Sequence, residues 1–390
     1  MVGDNQVGEN HAGETCSRRA LLAGVLASAC GRKRGTRYQG WLFVASGTEK
    51  EIAVADLASF RRVASIPLPC TPDQLFQSRD RVFALCPDAR AIVEIDVERF
   101  RVAGRIGLPG KPVAVRLLPD SGNAIVLTDE PGALLSVDLP NRRVAARLML
   151  PDAPRDMDVS GMDVKAMLVA ITLPARNAIL RVALSGSKTP VLKLIGATDV
   201  GVSCGAVRFR RDGKTILAGA AAARELVAID SESGKLLARL PLPVSPSRFC
   251  FNGDGGQMFV TGTGQDVLAI VSPFQNEVAE TILAGHTPYG MAVSERRNLL
   301  FVTNPGSGDL TILDIETRSL SASVHVGETP GDVLLTPDGE YALVLDQRSG
   351  NVSVVRITSV LGRKAKTNPL FTVFPTAAGA RSAIIVPFNT

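Results

Sequence analysis

The chain has 390 residues, of which 45% are apolar, 21% charged and only 5% aromatic. That balance excludes a disordered chain, and 36 Gly with 24 Pro, recurring as spaced turn signals, exclude collagen and low complexity. The net charge is +5, yet six basic residues against three acidic ones fall in the first 40 residues, so the remainder is close to neutral and offers no basic face for nucleic acid.

In chain order, Ser17-Arg18-Arg19 stands before an apolar run from Ala20 to Ala29, followed by Cys30-Gly31 and Arg32-Lys33-Arg34. Ten residues at roughly 1.5 Å each cannot cross roughly 30 Å of hydrocarbon, which excludes a transmembrane helix there. The arrangement resembles a twin-arginine export signal. Ala27-Ser28-Ala29-Cys30 resembles a lipoprotein cleavage box, with its bulky residue, Leu26, one place early. The expected organisation is an export signal over 1–30, a basic linker over 31–40 and a folded body over 41–390. The expected location is the periplasm or cell surface, with Cys30 the candidate for lipidation and membrane attachment.

Six cysteines occur, Cys16, Cys30, Cys70, Cys86, Cys204 and Cys250, with no C-x-x-C and no histidine at ligand spacing. This argues against zinc, and neither a metal nor a cofactor is expected. Cys70 and Cys86 fall within one hairpin unit but out of register. Buried free thiols are therefore expected for the last four cysteines, with a Cys70–Cys86 bridge as the alternative.

Segments led by proline recur at Pro72, Pro112, Pro154, Pro246, Pro288 and Pro330, with Cys204 in the place of one proline. The period of about 42 residues signals a repeat architecture. Within a unit, four short apolar runs are separated by turns. In the last complete unit Gly331 to Leu335 is followed by Pro337-Asp338-Gly339, then Tyr341 to Leu345, a polar turn, and Val352 to Ile357. Such runs are hairpin signals, and helical spacing is nearly absent. Eight second-strand segments can be counted, beginning at Trp41, Val82, Ala124, Met167, Ile216, Met258, Leu299 and Tyr341. The first unit lacks a leading strand, and Arg381 to Val386 supplies one with nothing after it. The prediction is an all-β chain, a single monomeric β-propeller of eight four-stranded antiparallel blades closed by its C-terminal strand. Seven blades is the alternative. The fourth unit, irregular between Ser185 and Val202, is the weakest.

Leu300-Phe301-Val302-Thr303-Asn304, Gly308 to Asp314, Thr317 and Val326-Gly327-Glu328-Thr329-Pro330-Gly331 together resemble the YVTN repeat of bacterial and archaeal β-propellers, and shorter matches recur in other units. The resemblance covers roughly residues 41–390. It implies the propeller fold and a secreted or surface protein, and it assigns no activity.

Asp56, Asp96, Asp138, Asp230 and Asp314 each end a third strand, where a carboxylate caps a turn. Asn252 to Gly256 likewise reads as a turn and not a calcium loop. Ligands of propellers enter at the channel mouth, so the residues just after each repeat proline are the ones to inspect. There the repeat carries Arg155 and Asp156 in one unit, Arg248 and Tyr289 in two others, and Asp332 and Arg381 in the last two. This asymmetry on a symmetric scaffold suits a specific pocket, although the charges could simply pair across a wet channel. His286 precedes Pro288, joins these six as a seventh ligand candidate and is the one weak catalytic candidate; His325 falls near the rim. No Gly-x-Ser-x-Gly elbow supports a serine hydrolase using Ser247 or Ser382. A single tryptophan, Trp41, argues against the docking tryptophans of quinoprotein blades, and low aromatic content weighs against a sugar site. The expected function is a binding scaffold in the cell envelope for a protein partner or small anionic ligand at the mouth. The alternative is a lactonase-like hydrolase or lyase with His286 as base and arginines holding an anionic substrate.

Overall fold

In the computed structural model each repeat unit is one antiparallel sheet of four strands, and eight such blades form a ring. The structure describes residues 38–119, 122–161, 167–186, 190–361 and 368–388. The expected export signal and the lipidation candidate Cys30 lie outside the described residues. Blade 1 combines strands within 40–67 with the strand Ala380–Pro387; blades 2 to 8 occupy 74–107, 111–149, 157–199, 207–241, 245–283, 291–325 and 330–375.

Side chains of a strand alternate between two faces, and in a propeller each face of a blade meets a neighbouring blade. In the second strand of blade 1, Leu42 and Val44 pack with Leu343 and Val354 of blade 8, while Phe43 and Ala45 pack with Val82, Ala84 and Val93 of blade 2. The same alternation produces one apolar cluster at every interface around the ring. Both faces must therefore be apolar. This is why the middle strands read as unbroken hydrophobic runs while fourth strands such as Arg61–Pro67 are mostly exposed.

The ring closes as expected from the orphan strand. Ala380–Pro387 pairs antiparallel with Gly40–Ser46, setting Leu42 opposite Ile385 and Val44 opposite Ala383. Polar links reinforce some seams: the buried carboxylate of Glu94 in blade 2 accepts from Arg81 at 3.0 Å and from Arg142 of blade 3 at 2.6 Å. In the irregular blade 4, Arg181 is buried and donates to the Ser231 and Ser233 carbonyls of blade 5 at 3.2 and 3.3 Å.

The third-strand aspartates cap turns. Their carboxylates accept from the backbone N–H of Ala58, Arg99, Asn141, Ser233 and Thr317 respectively, at 2.7 to 3.2 Å. These bonds hold three of the carboxyls below the usual range. The first cause is the Arg99 N–H for Asp96, the Ser233 hydroxyl for Asp230 and the Thr317 N–H for Asp314.

One expectation is corrected. Cys70 and Cys86 are not free thiols: they form a disulfide, with Cα atoms 6.1 Å apart. They are indeed out of register, since Gln74 is the residue opposite Leu85. Cys70, however, lies in the connection before that strand, which folds back over the end of Arg81–Cys86 and brings the two together. Cys204 and Cys250 remain free, and burial pushes both thiols up to about 11.

Two outcomes are expected. Phe43→Ala, at a fully buried inter-blade position, should lower unfolding free energy by about 3–5 kcal/mol in urea titrations, whereas Val63→Ala, 48% exposed on an outer strand, should change it little. Peptide mapping by mass spectrometry without reductant should recover the Cys70 and Cys86 peptides as one linked species.

Candidate ligand site at the channel mouth

Because the strands of a blade run alternately up and down, the loop entering each innermost strand and the loop joining the second and third strands share one face. Eight pairs of these loops surround the mouth of the channel. A polar cavity of about 780 Å³ opens there, lined by Asp73, Asp88, Lys111, Asp129, Arg155, Asp156, Arg248 and Arg381 among others. Its extension toward blades 7 and 8 adds Tyr289, Asp332 and Gln347. Six of the seven ligand candidates read from the sequence thus border one space.

Arg248 is the best-defined group. Its guanidinium lies over the Tyr289 ring, with Cζ 3.9 Å from the ring centroid, and donates to the tyrosine hydroxyl. It also donates to Asp332 Oδ1 at 3.0 Å. Three successive blades, 6, 7 and 8, therefore fix one planar cation. A guanidinium carries five N–H donors, so these two contacts leave further donors for a ligand. Gly290 permits the close approach of blade 7 to blade 8: a Cβ there would meet the Gly331 carbonyl oxygen at 2.5 Å. Burial pushes the Asp332 carboxyl above its ordinary range, against the opposing influence of Arg248.

The opposite wall belongs to blades 3, 4 and 5. Asp156 accepts from Arg208 at 2.7 Å and Arg116 at 3.5 Å, and Asp158 accepts from Arg116 at 3.3 Å. Both carboxylates also take backbone N–H groups of blade 5, from Val207 at 3.1 Å and Phe209 at 2.8 Å. Asp156 is therefore committed to holding three blades together. At the closure seam Arg381 pairs with Asp73 at 2.8 Å. Arg155 and Lys111 are exposed at the rim, and neither side chain has a hydrogen-bond or ion-pair partner among the described residues.

His286 stands apart. Its Nδ1 lies 2.8 and 2.9 Å from the two oxygens of Asp266, its side chain is 62% exposed, and it does not border the cavity. That bond, followed by the Thr287 N–H, holds Asp266 below the usual range. His325 sits 3.3 Å from Asp309 on the same face. Among the described residues no group of three or more His, Cys, Asp or Glu side chains is placed to hold a metal.

Sequence reasoning missed Lys111, Asp88 and Asp129, which border the mouth from just before the repeat proline or from second-to-third-strand loops. It also missed Arg116, Asp158 and Arg208. These last three stand at equivalent places, four residues after Pro112, Pro154 and Cys204, so extending the repeat alignment by two positions exposes the ladder.

Comparison with solved structures places the fold. Dihydro-heme d1 dehydrogenase NirN in complex with DHE superposes with a TM-score of 0.71 at 15% identity, over 92% of this chain and 78% of that one. A functionally unknown protein from Desulfotomaculum acetoxidans gives 0.60 at 15% identity, over 75% and 97%. Kuenenia stuttgartiensis hydrazine synthase gives 0.55 at 20% identity, over 73% and 95%. These are likenesses of fold. No protein-family model matches the sequence, and no curated protein matches it.

Ionised Asp332 occupies one edge of Arg248 and repels anions. Affinity for sulfate, whose own charge is constant over the range, is therefore expected to rise as pH falls through the elevated Asp332 pKa. Calorimetry with Asp332→Asn should show tighter binding and a flatter profile.

Proposed function

We propose that this chain is an exported propeller of the YVTN-repeat type that binds a small anion carrying two or more carboxylates at its channel mouth. The observation that carries the reading is the Arg248 guanidinium, fixed by Tyr289 and Asp332 with donors to spare, beside a cavity that Lys111 and Arg155 border unpaired. A cavity of about 780 Å³ falls in the range of small-ligand sites. Its walls are mostly polar, so charge-assisted hydrogen bonds supply the affinity and apolar burial adds little.

Export is supported by the twin-arginine pattern and by the Cys70–Cys86 disulfide, since such bonds persist mainly in oxidising compartments. The likeness of fold to a dihydro-heme d1 dehydrogenase supports including a flat, carboxylate-bearing macrocycle among the probes. A hydrolase or lyase relying on His286 draws no support from that residue's place outside the cavity.

The test is calorimetry at neutral pH with citrate as a flexible probe and mesoporphyrin as a flat one. Binding should weaken by about 10- to 100-fold in Arg248→Ala, the range expected for losing hydrogen bonds to a charged group, and should fall with added salt. An Arg155→Ala variant should lose less, because that side chain is not held in place. Binding of neither probe would turn the reading toward a protein partner in the envelope.

A further inference from the structure

On the opposite face, where first-to-second-strand and third-to-fourth-strand turns emerge, a groove of about 540 Å³ lies along the seam between blades 1 and 2. Its floor is aromatic. Trp41 meets Phe100 edge-on with centroids 5.2 Å apart and Phe388 at 4.6 Å, flanked by Val97 and Val386. Phe388 follows the closing strand and is tied down by its N–H, which donates to the Gln39 carbonyl at 3.3 Å. The rim carries Gln77, Arg79, Asp80 and Glu98.

The Gln77 amide is spent, since its Nε2 donates to the Arg79 carbonyl at 2.8 Å, but the charged groups of the rim are not. Arg79, Asp80 and Glu98 are exposed, and among the described residues none of these side chains has a hydrogen-bond or ion-pair partner. The indole N–H of half-buried Trp41 has no acceptor either. These features select a ligand class. The Arg79 guanidinium extends toward Gly122 of blade 3, so the groups that choose the ligand are Asp80, Glu98 and the indole N–H. An anion would face Asp80 and Glu98, a cation would leave the indole N–H without an acceptor, and a wholly apolar molecule would strip water from all three without replacing their hydrogen bonds. A molecule with one apolar face and an edge of hydroxyls satisfies all three: the face stacks on the indole, the carboxylates accept from hydroxyls, and the indole N–H donates to one. We propose that this groove binds a neutral pyranose unit of a glycan. Low aromatic content weighs against a sugar site, but composition does not show that the only tryptophan joins two phenylalanines in one open groove.

Because Trp41 is the sole tryptophan, the emission of the full chain reports on this groove. Titration with cellotriose and with triacetylchitotriose should give a saturable emission shift with at least one of them, with half-saturation on the order of 1 mM. The Asp80→Ala/Glu98→Ala double variant, altered only at exposed positions and checked for unchanged thermal unfolding, should weaken that response at least about fivefold, as expected for losing hydrogen bonds to charged groups. Arg248→Ala should leave it intact, which separates this groove from the mouth. A flat titration with both sugars, an undiminished response in the double variant, or a response to choline with none to either sugar would each overturn the proposal.

Discussion

Everything in this molecule depends on the two-sided burial of the middle strands. A β-strand turns successive side chains to opposite faces, and in a radial array both faces of every sheet are interior. Phe43 and Leu42 are neighbours in the chain, yet one belongs to the core between blades 1 and 2 and the other to the core between blades 8 and 1. A blade removed from the ring would expose two such surfaces. Closure is therefore a requirement of the packing, met here by pairing Ala380–Pro387 with Gly40–Ser46.

Burial by the middle strands frees the loops from packing duty, and chemistry collects there. The mouth shows how unevenly. On blades 3, 4 and 5, Asp156, Asp158, Arg116 and Arg208 pair with one another in a wall with little left for a ligand, while Lys111 and Arg155 stay unpaired at its rim. Blades 6, 7 and 8 use Tyr289 and Asp332 to aim one arginine, which keeps donors free. The two halves share a scaffold and differ in whether cations and carboxylates balance locally. That difference, more than the number of charges, decides which groups can receive an anion: Arg248 on one side and the unpaired Lys111 and Arg155 on the other.

The fold was legible because repetition multiplies a weak signal. One run of four or five apolar residues is ambiguous between strand and helix, but eight of them at a period near 42, with Asp-capped turns between, are not. The disulfide was illegible for a local reason: strand register says nothing about a connection that doubles back, and Cys70 lies in such a connection. The mouth was half legible. Arg248, Tyr289 and Asp332 follow the repeat prolines and could be aligned, whereas Asp88 and Asp129 sit in loops whose relation to the channel emerges only once the blades are assembled. His286 misleads in the same way, since closeness to a repeat proline places it on the correct face without fixing its radial position.

Blade 1 and its seam with blade 2 concentrate features that the repeat itself does not supply. The disulfide, the Arg381–Asp73 pair and the Trp41 groove all lie there, where the two ends of the described chain meet. In the other blades all four strands follow one another along the chain, so each residue answers to a repeating geometry. In blade 1 the innermost strand comes from the far end of the chain, so residues beyond it, such as Phe388, are free of the repeat's demands and can be used for stacking. The same blade lacks the hairpin that joins first strand to second in every other sheet, and only backbone pairing and side-chain packing hold Ala380–Pro387 against Gly40–Ser46. The Arg381–Asp73 ion pair ties that closing strand to the loop by which the chain enters blade 2. The Cys70–Cys86 bridge in turn clasps this loop to the second strand of blade 2, so the one junction without a covalent hairpin is anchored to a loop that cannot swing away.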